Sequence, residues 1–244
     1  MPRPPRFFIS PGQVIDQYIT ISGEDVRHIA TVLRMKTGDE LLLCDGRGTE
    51  YQAKIARVSK SEITTEVKAR SKREIRYPLI TLCQGLPKSD KMDWIVQKST
   101  ELGVATIIPL ATERTIVKIR DEEKRVSRWQ KIAREAAMQS NRPDIPEVEK
   151  IQSLDGYIRT LDPDPGTLLI LPWEEGTEPI RSILRQIPGI KNIIVLIGPE
   201  GGFSAQEVEM AKEKGYHTVS LGQNILRTET AAVAVLSMIG YEFL

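Results

Sequence analysis

The chain of 244 residues contains little that would indicate a membrane, a metal or a disulfide framework. Its two cysteines, Cys44 and Cys83, lie in apolar, strand-like runs, so we expect buried reduced thiols and no metal site. No apolar run approaches the about 20 residues that a membrane-spanning helix needs. The amino terminus also lacks the apolar core of a signal peptide. We therefore expect a cytoplasmic protein with no membrane partner.

Net charge of either sign is also nearly absent, since the formal total is only +1. The charge is nevertheless unevenly placed, because residues 1–76 contain 14 Lys and Arg against 10 Asp and Glu. A basic amino-terminal part favours a polyanionic partner such as RNA.

The amino-terminal part reads as several short strands separated by turns, with one short helix. Ser22 and Asp25 have the spacing of a capping box, and apolar residues from Val26 to Leu33 follow with helical periodicity. This pattern predicts a small β-barrel domain. The basic segment Lys68–Arg76 is interpreted as a solvated linker, with phosphate contact as the alternative. It divides the chain into domains 1–74 and 75–244.

The carboxy-terminal part alternates strands with helices, which predicts an α/β domain with a parallel sheet. Trp94 and Trp129 are placed in its core. The predicted strands are Leu79–Cys83, Val104–Ile108, Thr167–Leu171, Ile193–Ile197 and Thr218–Leu221, and the predicted helices are Lys91–Leu102, Asp121–Ser140, Glu178–Gln186, one that starts at Ser204, and Ala231–Phe243.

Two of these strands end in glycine-containing loops, each of which opens a helix. The first loop, Gly198–Phe203, matches neither the Walker loop nor the dinucleotide-binding fingerprint. Because such loops meet at the carboxyl edge of a parallel sheet, we expect a small-molecule site there. The alternative is a well-capped turn, since Ser204 and Glu207 have capping-box spacing. Glu200 favours function, because its carboxylate could bind a ligand hydroxyl or position a reacting group.

The second loop runs from Gly222 to Thr230 and places charges immediately before the last predicted helix. Glu229 complements the positive amino-terminal end of the helix dipole, which is a sufficient structural reason for it. Arg227 lacks such a reason, since a cation is slightly unfavourable at that end. We therefore expect Arg227 to serve an anionic partner. Asn141 and Arg142, which follow the long helix, either end that helix before Pro143 or contact RNA.

Together, Gly198–Ser204 and Leu221–Ala231 strongly resemble the two carboxy-terminal motifs of the bacterial RsmE family. Further matches, such as Lys98–Gly103, extend the resemblance over essentially the whole chain. These enzymes methylate N3 of a uridine in 16S ribosomal RNA and belong to the SPOUT superfamily of knotted methyltransferases. The resemblance implies a PUA-like β-barrel, an α/β domain with a trefoil knot, a homodimer and S-adenosylmethionine as cofactor.

The resemblance also implies roles for individual residues. Arg227 is the candidate for stabilising charge on the uracil, and either Glu200 or Glu229 could accept the N3 proton. RNA contacts are expected at Arg6, Arg27, His28, Arg34, Lys88, Lys91, Asn141 and Arg142. The cofactor is expected at Leu171, Pro172, Trp173, Ile197, Gly198, Pro199, Glu200, Gly201, Gly202, Leu221, Gly222, Ile225, Leu226 and Arg227.

Two rival hypotheses remain open at this level. One is a non-catalytic RNA-binding protein whose glycine loops are purely structural. The other is a methyltransferase of the same fold that acts on tRNA. Cofactor binding separates the first from an enzyme, and the identity of the methylated RNA separates the second.

Overall fold

The computed structural model describes residues 4–73, 78–116, 121–186 and 189–243. The chain forms two compact units, one of Met1–Ile75 with Ala137–Ile145 and one of Arg76–Ala136 with Pro146–Leu244. Residues 74–77, where the sequence placed the end of the linker and the domain boundary, lie outside the described residues. The segment Ala137–Ile145 belongs to the first unit, although nothing in the sequence indicated this.

The first unit is built on a six-stranded sheet in the order β1-β4-β5-β6-β3-β2. Side chains alternate between buried and exposed along the first part of β5, which is the period expected of a strand with one buried face. The elements are β1 (Arg6–Phe8), β2 (Val14–Ile15), β3 (Tyr18–Ser22), α1 (Glu24–Arg27), β4 (Glu40–Cys44), β5 (Thr49–Val58) and β6 (Glu62–Lys72).

Two predictions for this unit are wrong. Ser22 does not cap a helix, because it is the last residue of β3 and the cap position is taken by Gly23 at φ +80°. The chain then continues from α1 into a π-helical turn, His28–Val32, rather than one regular helix. Residues Lys68–Lys72 are not a linker, since they form the end of β6 and pair with β5.

The second unit has an all-parallel sheet in the order β10-β8-β7-β13-β11-β14-β12, with β9 beside β8. Its elements are β7 (Leu79–Gly85), α2 (Lys91–Glu101), β8 (Thr106–Ala111), α3 (Glu122–Gln139, of which the residues from Ala137 on belong to the first unit), β9 (Glu147–Val148), β10 (Gln152–Ser153), α4 (Leu154–Thr160), β11 (Thr167–Pro172), β12 (Glu178–Pro179), α5 (Ile180–Gln186), β13 (Asn192–Ile197), α6 (Ala205–Glu213), β14 (His217–Ser220) and α7 (Thr228–Phe243).

The predicted alternation of strands and helices is thereby confirmed, with three corrections. The second strand, β8, starts and ends later than predicted and includes Pro109. The helix expected from Glu178 begins at Ile180, after the short strand β12. Trp94 is 42% exposed, whereas Trp129 is buried as predicted.

The order of the central strands positions the site. Strand β11 pairs with β13 on one side and with β14 on the other. The core strands are almost entirely buried, as parallel strands covered on both faces are. The loops that follow β11, β13 and β14 therefore leave neighbouring positions at one edge of the sheet. None of the helices in the described residues combines the length and hydropathy needed to cross a membrane.

Candidate active site

The first glycine loop, Gly198–Phe203, is fixed at its carboxy-terminal end by α6. Ser204 Oγ accepts a hydrogen bond from the Glu207 backbone N–H, and Glu207 Oε2 accepts one from the Ser204 N–H at 2.8 Å. This confirms the predicted capping box. The buried Glu207 carboxylate also accepts a bond from the backbone N–H of Glu113 at 2.8 Å. One carboxylate thus joins the loop to the segment after β8.

The same loop is fixed at its beginning by a close approach to β7. A Cβ on Gly85 would lie 2.6 Å from Pro199 Cδ and 2.7 Å from its backbone nitrogen, which only glycine permits. The buried Gln84 side chain donates to Thr228 Oγ1 at 2.9 Å, and Thr228 donates to the Gly198 carbonyl at 2.6 Å. The ends of β7 and β13 and the start of α7 are therefore connected by side-chain hydrogen bonds.

Arg114 supports the middle of the loop. Its guanidinium donates to the Gly201 carbonyl at 2.9 Å. A Cβ on Gly201 would lie 3.1 Å from Arg114 Cβ, so the two residues are in close contact. Gly202 has φ +67°, a left-handed backbone conformation that favours glycine.

The tryptophan loop, Trp173–Thr177, follows β11. The Trp173 backbone N–H donates to the Val219 carbonyl of β14 at 3.0 Å, so the loop leaves the sheet beside that strand. Lys212 of α6 lies over the Trp173 ring, with its Nζ 5.1 Å from the ring centroid. This cation–π contact holds the indole in place.

The second glycine loop, Leu221–Arg227, is mostly exposed. Ser220 accepts from the Gly222 N–H and donates to its carbonyl, which closes the loop locally. Ile225 is 81% exposed, which is unusual for a large apolar side chain. Helix α7 begins at Thr228, earlier than predicted, so Arg227 directly precedes its first turn.

The three loops enclose a cavity of about 360 Å³. All the residues predicted to bind a cofactor line it except two, Leu171, which is fully buried in β11, and Gly201, which contacts Arg114. The sequence missed some lining residues, of which Glu174 and Gln223 were recognisable by their place in the predicted loops. The lining residues that were not predicted are Glu174, Phe203, Ser220, Gln223, Asn224, Thr228 and Ala231.

An ion-pair cluster lies beside the cavity. Lys91 Nζ is 3.0 Å from Glu200 Oε1 and 3.2 Å from Glu229 Oε2. Both Glu200 oxygens also lie 3.1 Å from the Lys88 backbone N–H, which donates to the carboxylate. Although burial raises the pKa of Glu200, the Lys91 ammonium and the Lys88 N–H outweigh burial and lower that pKa below its usual value. Conversely, the Glu200 carboxylate raises the pKa of Lys91.

Arg227 lines the cavity with an exposed side chain. Within the described part of the chain, its guanidinium has no hydrogen bond or ion pair to a protein group. Of the two predicted proton acceptors, Glu200 lines the cavity, whereas Glu229 lies behind it against Lys91. The geometry therefore places the Glu200 carboxylate and the Arg227 guanidinium at the cavity wall, together with the exposed Glu174.

The residues predicted to contact RNA differ in exposure. Arg6 is 10% exposed, pairs with Glu50 at 2.6 Å and donates to Cys44 Sγ at 3.0 Å. Arg142 is buried and pairs with Asp144, so both arginines have partners within the first unit. Their contact with RNA stays a prediction. The remaining side chains are exposed, apart from the half-buried Lys91, and they are Arg27, His28, Arg34, Lys88 and Asn141.

The fold and the cavity together define a class of protein. Residues 74–240 match the family described as "RNA methyltransferase domain", and residues 21–68 match the "RNA methyltransferase PUA domain". The chain thus belongs to the RNA methyltransferases that carry an amino-terminal PUA domain.

Similar proteins narrow this class to one family. The chain is 36% identical to ribosomal RNA small subunit methyltransferase E of Bacillus subtilis, over 91% of this chain and 90% of that protein. It resembles the crystal structure of the Neisseria gonorrhoeae enzyme of that name bound to S-adenosyl methionine, at 31% identity, TM-score 0.86, and 99% and 98% coverage. A putative methyltransferase from Legionella pneumophila, also in complex with this cofactor, is 34% identical, with TM-score 0.84 and 98% coverage of both chains. The chain belongs to the ribosomal RNA small subunit methyltransferase E family, the RsmE family.

Proposed function

We propose that the protein transfers a methyl group from S-adenosylmethionine to N3 of a uridine in the 16S ribosomal RNA of the small subunit. The observation that carries the proposal is the cavity at the ends of three neighbouring parallel strands, with Arg227 and Glu200 in its wall. Ligands of open parallel sheets bind at this edge, outside the carboxyl ends of the strands.

The residues present fit the cofactor. The cavity volume of about 360 Å³ lies within the range of about 300–1,000 Å³ for small-molecule sites. Its wall combines glycine backbone at Gly198, Gly202 and Gly222 with apolar side chains such as Ile197 and Leu226. Loops of this kind would hold the adenosine and methionine parts through backbone groups and apolar contact. When bound, S-adenosylmethionine supplies an electrophilic methyl group on a sulfonium.

The protein must make uridine N3 reactive, because this nitrogen carries a proton at neutral pH. Arg227 places a cation where negative charge develops on the uracil oxygens, and its guanidinium is free to do so. Glu200 would accept a hydrogen bond from N3–H and would receive the proton as the methyl group moves from sulfur to N3, which leaves the sulfur as a neutral thioether. A carboxylate is a much weaker base than the N3 anion of uridine, so Glu200 would take the proton together with methyl transfer and not before it.

The partners are part of the same proposal. Exposed basic residues of the first unit, such as Arg27 and Arg34, would contact RNA phosphates, and the target base must be unstacked to reach the cavity. The large apolar side chains Trp94 and Tyr241 are 42% and 87% exposed, which supports a homodimer interface on the second unit. In this proposal the dimer interface runs through a trefoil knot in the second unit. Because the substrate is ribosomal RNA, the protein acts in the cytoplasm.

The proposal is tested by incubating the protein with S-adenosylmethionine labelled in its methyl group and small ribosomal subunits from a strain that lacks the protein. We expect label in 3-methyluridine after digestion and nucleoside mapping of the 16S RNA. Parallel reactions contain naked 16S RNA and tRNA. Label in tRNA or on ribose would refute the substrate, and absence of cofactor binding by calorimetry at high micromolar concentration would favour a non-catalytic RNA-binding protein.

A further inference from the structure

Lys91 occupies an unfavourable position unless it has a specific role. It is the first residue of α2, where the positive end of the helix dipole disfavours a cation. Its ammonium nevertheless lies between two carboxylates from different parts of the chain, Glu200 of the first glycine loop and Glu229 of α7. Without a cation between them, these two carboxylates would repel each other. Lys91 therefore links the first glycine loop to α7.

Among these three residues, only Glu200 lines the cavity. The side chain of Lys91 is 31% exposed and its ammonium is engaged by both carboxylates, so it is poorly placed to bind RNA phosphate at the same time. We propose that Lys91 is a positioning residue for methyl transfer, which acts by holding the Glu200 carboxylate against the cavity wall. This inference rests on the proposed function and replaces the RNA contact expected for Lys91.

The charged groups around Glu200 determine the expected pH dependence. Lys91 and the Lys88 N–H face it from α2 and the preceding loop, Glu229 approaches the same ammonium from α7, and Arg227 lies in the same cavity wall. Removing the Lys91 charge leaves Glu229 as an uncompensated anion nearby. Both changes disfavour the charged form of Glu200, so its pKa rises. The acid limb of the pH profile for kcat/KM then moves to higher pH.

The test compares Lys91→Met with Lys91→Arg and with Lys98→Met. Lys98 is a matched control, because it lies on the same helix, is 34% exposed and pairs with Glu101 away from the cavity. We expect Lys91→Met to lower kcat about 10- to 100-fold, as misplacement of a reacting group does. We expect KM for S-adenosylmethionine to change less than about threefold. Lys91→Arg should recover much of the loss, and Lys98→Met should retain wild-type kinetics.

A double-mutant cycle with Glu200→Gln shows whether Lys91 acts through Glu200. If it does, Lys91→Met costs little further activity in the Glu200→Gln background, and the acid limb moves only when Glu200 is present. Equal losses in both backgrounds, or a loss confined to thermal stability, would overturn the proposal. A wild-type protein that binds no cofactor would instead refute the proposed function, so the two failures are distinguishable.

Discussion

The two glycine loops border the same cavity, but they are held in very different ways. The first loop receives hydrogen bonds from Arg114 and Thr228 and is closed at its end by the buried Glu207. In the second loop, the hydrogen bonds of Gly222 within the described residues go to Ser220, and residues 222–225 are exposed. The first loop is thus held by contacts with the rest of the second unit, whereas the second loop has few such contacts.

This difference separates stability from function within one site. A loop built into hydrogen bonds and packing presents its backbone to a ligand without a large ordering cost on binding. A loop with few contacts leaves its side chains available to the ligand and to the substrate base. Substitutions of the residues that fix the first loop should therefore destabilise the fold. Substitutions of side chains that take part in the reaction, Glu200 of the first loop and those of the second loop, should affect binding and chemistry.

The largest expected effect is that of Arg227→Ala, in the second loop. Loss of a cation that stabilises developing charge should lower kcat/KM about 100- to 1,000-fold, or about 3–4 kcal/mol. Because the guanidinium bonds to no described protein group, the free energy of unfolding should change by less than about 0.5 kcal/mol. Both quantities are measured on one preparation, with Arg227→Lys expected to be intermediate. Near-normal turnover in Arg227→Ala would remove this residue from the mechanism.

Gly85→Ala tests the packing beneath the first loop. The added Cβ would meet Pro199 at 2.6–2.7 Å, so the backbone must shift, at a cost of about 1–3 kcal/mol in unfolding free energy. Urea denaturation measures this cost. Gly12→Ala is the matched control, since its Cβ meets nothing within 4 Å and its φ is not positive. If both variants unfold at the same urea concentration, the first loop is less tightly packed against β7 than described.

Glu207→Ala removes the carboxylate that closes the first loop. Two backbone N–H groups, of Ser204 and Glu113, lose their acceptor, which should cost about 1–2 kcal/mol of stability. Glu209→Ala on the same helix is the control. The Glu209 side chain is 66% exposed, and its ion pair with Lys212 is long, at 3.7 Å. A thermal unfolding midpoint equal to that of the Glu209 variant would show that the capping box contributes nothing measurable.

The contrast between the loops was only partly predictable from the sequence. The Ser204–Glu207 spacing acts locally, so it correctly predicted the capping box, and the glycine loops correctly indicated a cavity at the ends of the strands. The individual residues expected at the cofactor came from the family resemblance, and most of them line this cavity. Arg227 was singled out by helix electrostatics, and its guanidinium has no partner among the residues that the structure describes. The contacts that fix the first loop join residues far apart in sequence, such as Gln84 with Thr228, and local pattern carries no record of them.

The errors have the same origin. Ser22 has the spacing of a cap, but it lies in β3 and pairs with β6. Lys68–Lys72 have the composition of a linker, yet they pair with β5 because the sheet continues. The ion pairs of Lys91 were likewise not foreseen, because Glu200 and Glu229 lie more than a hundred residues away from it in the sequence. Tertiary context decided each of these positions.

The smallest expected effect is that of Ile225→Ser, which tests the second loop without touching a charge. Because this side chain is 81% exposed, its replacement should change the unfolding free energy by less than about 0.5 kcal/mol. If Ile225 closes over the bound cofactor, affinity for S-adenosylmethionine should fall about fivefold, close to 1 kcal/mol, as for loss of partial apolar burial. Calorimetric titration measures this, with Ile116→Ser as control, since Ile116 is 70% exposed and does not line the cavity. Equal affinities in the two variants would mean that Ile225 stays in solvent when the cofactor binds. In the second loop, contact with the cofactor would then be limited to other residues, such as Leu226.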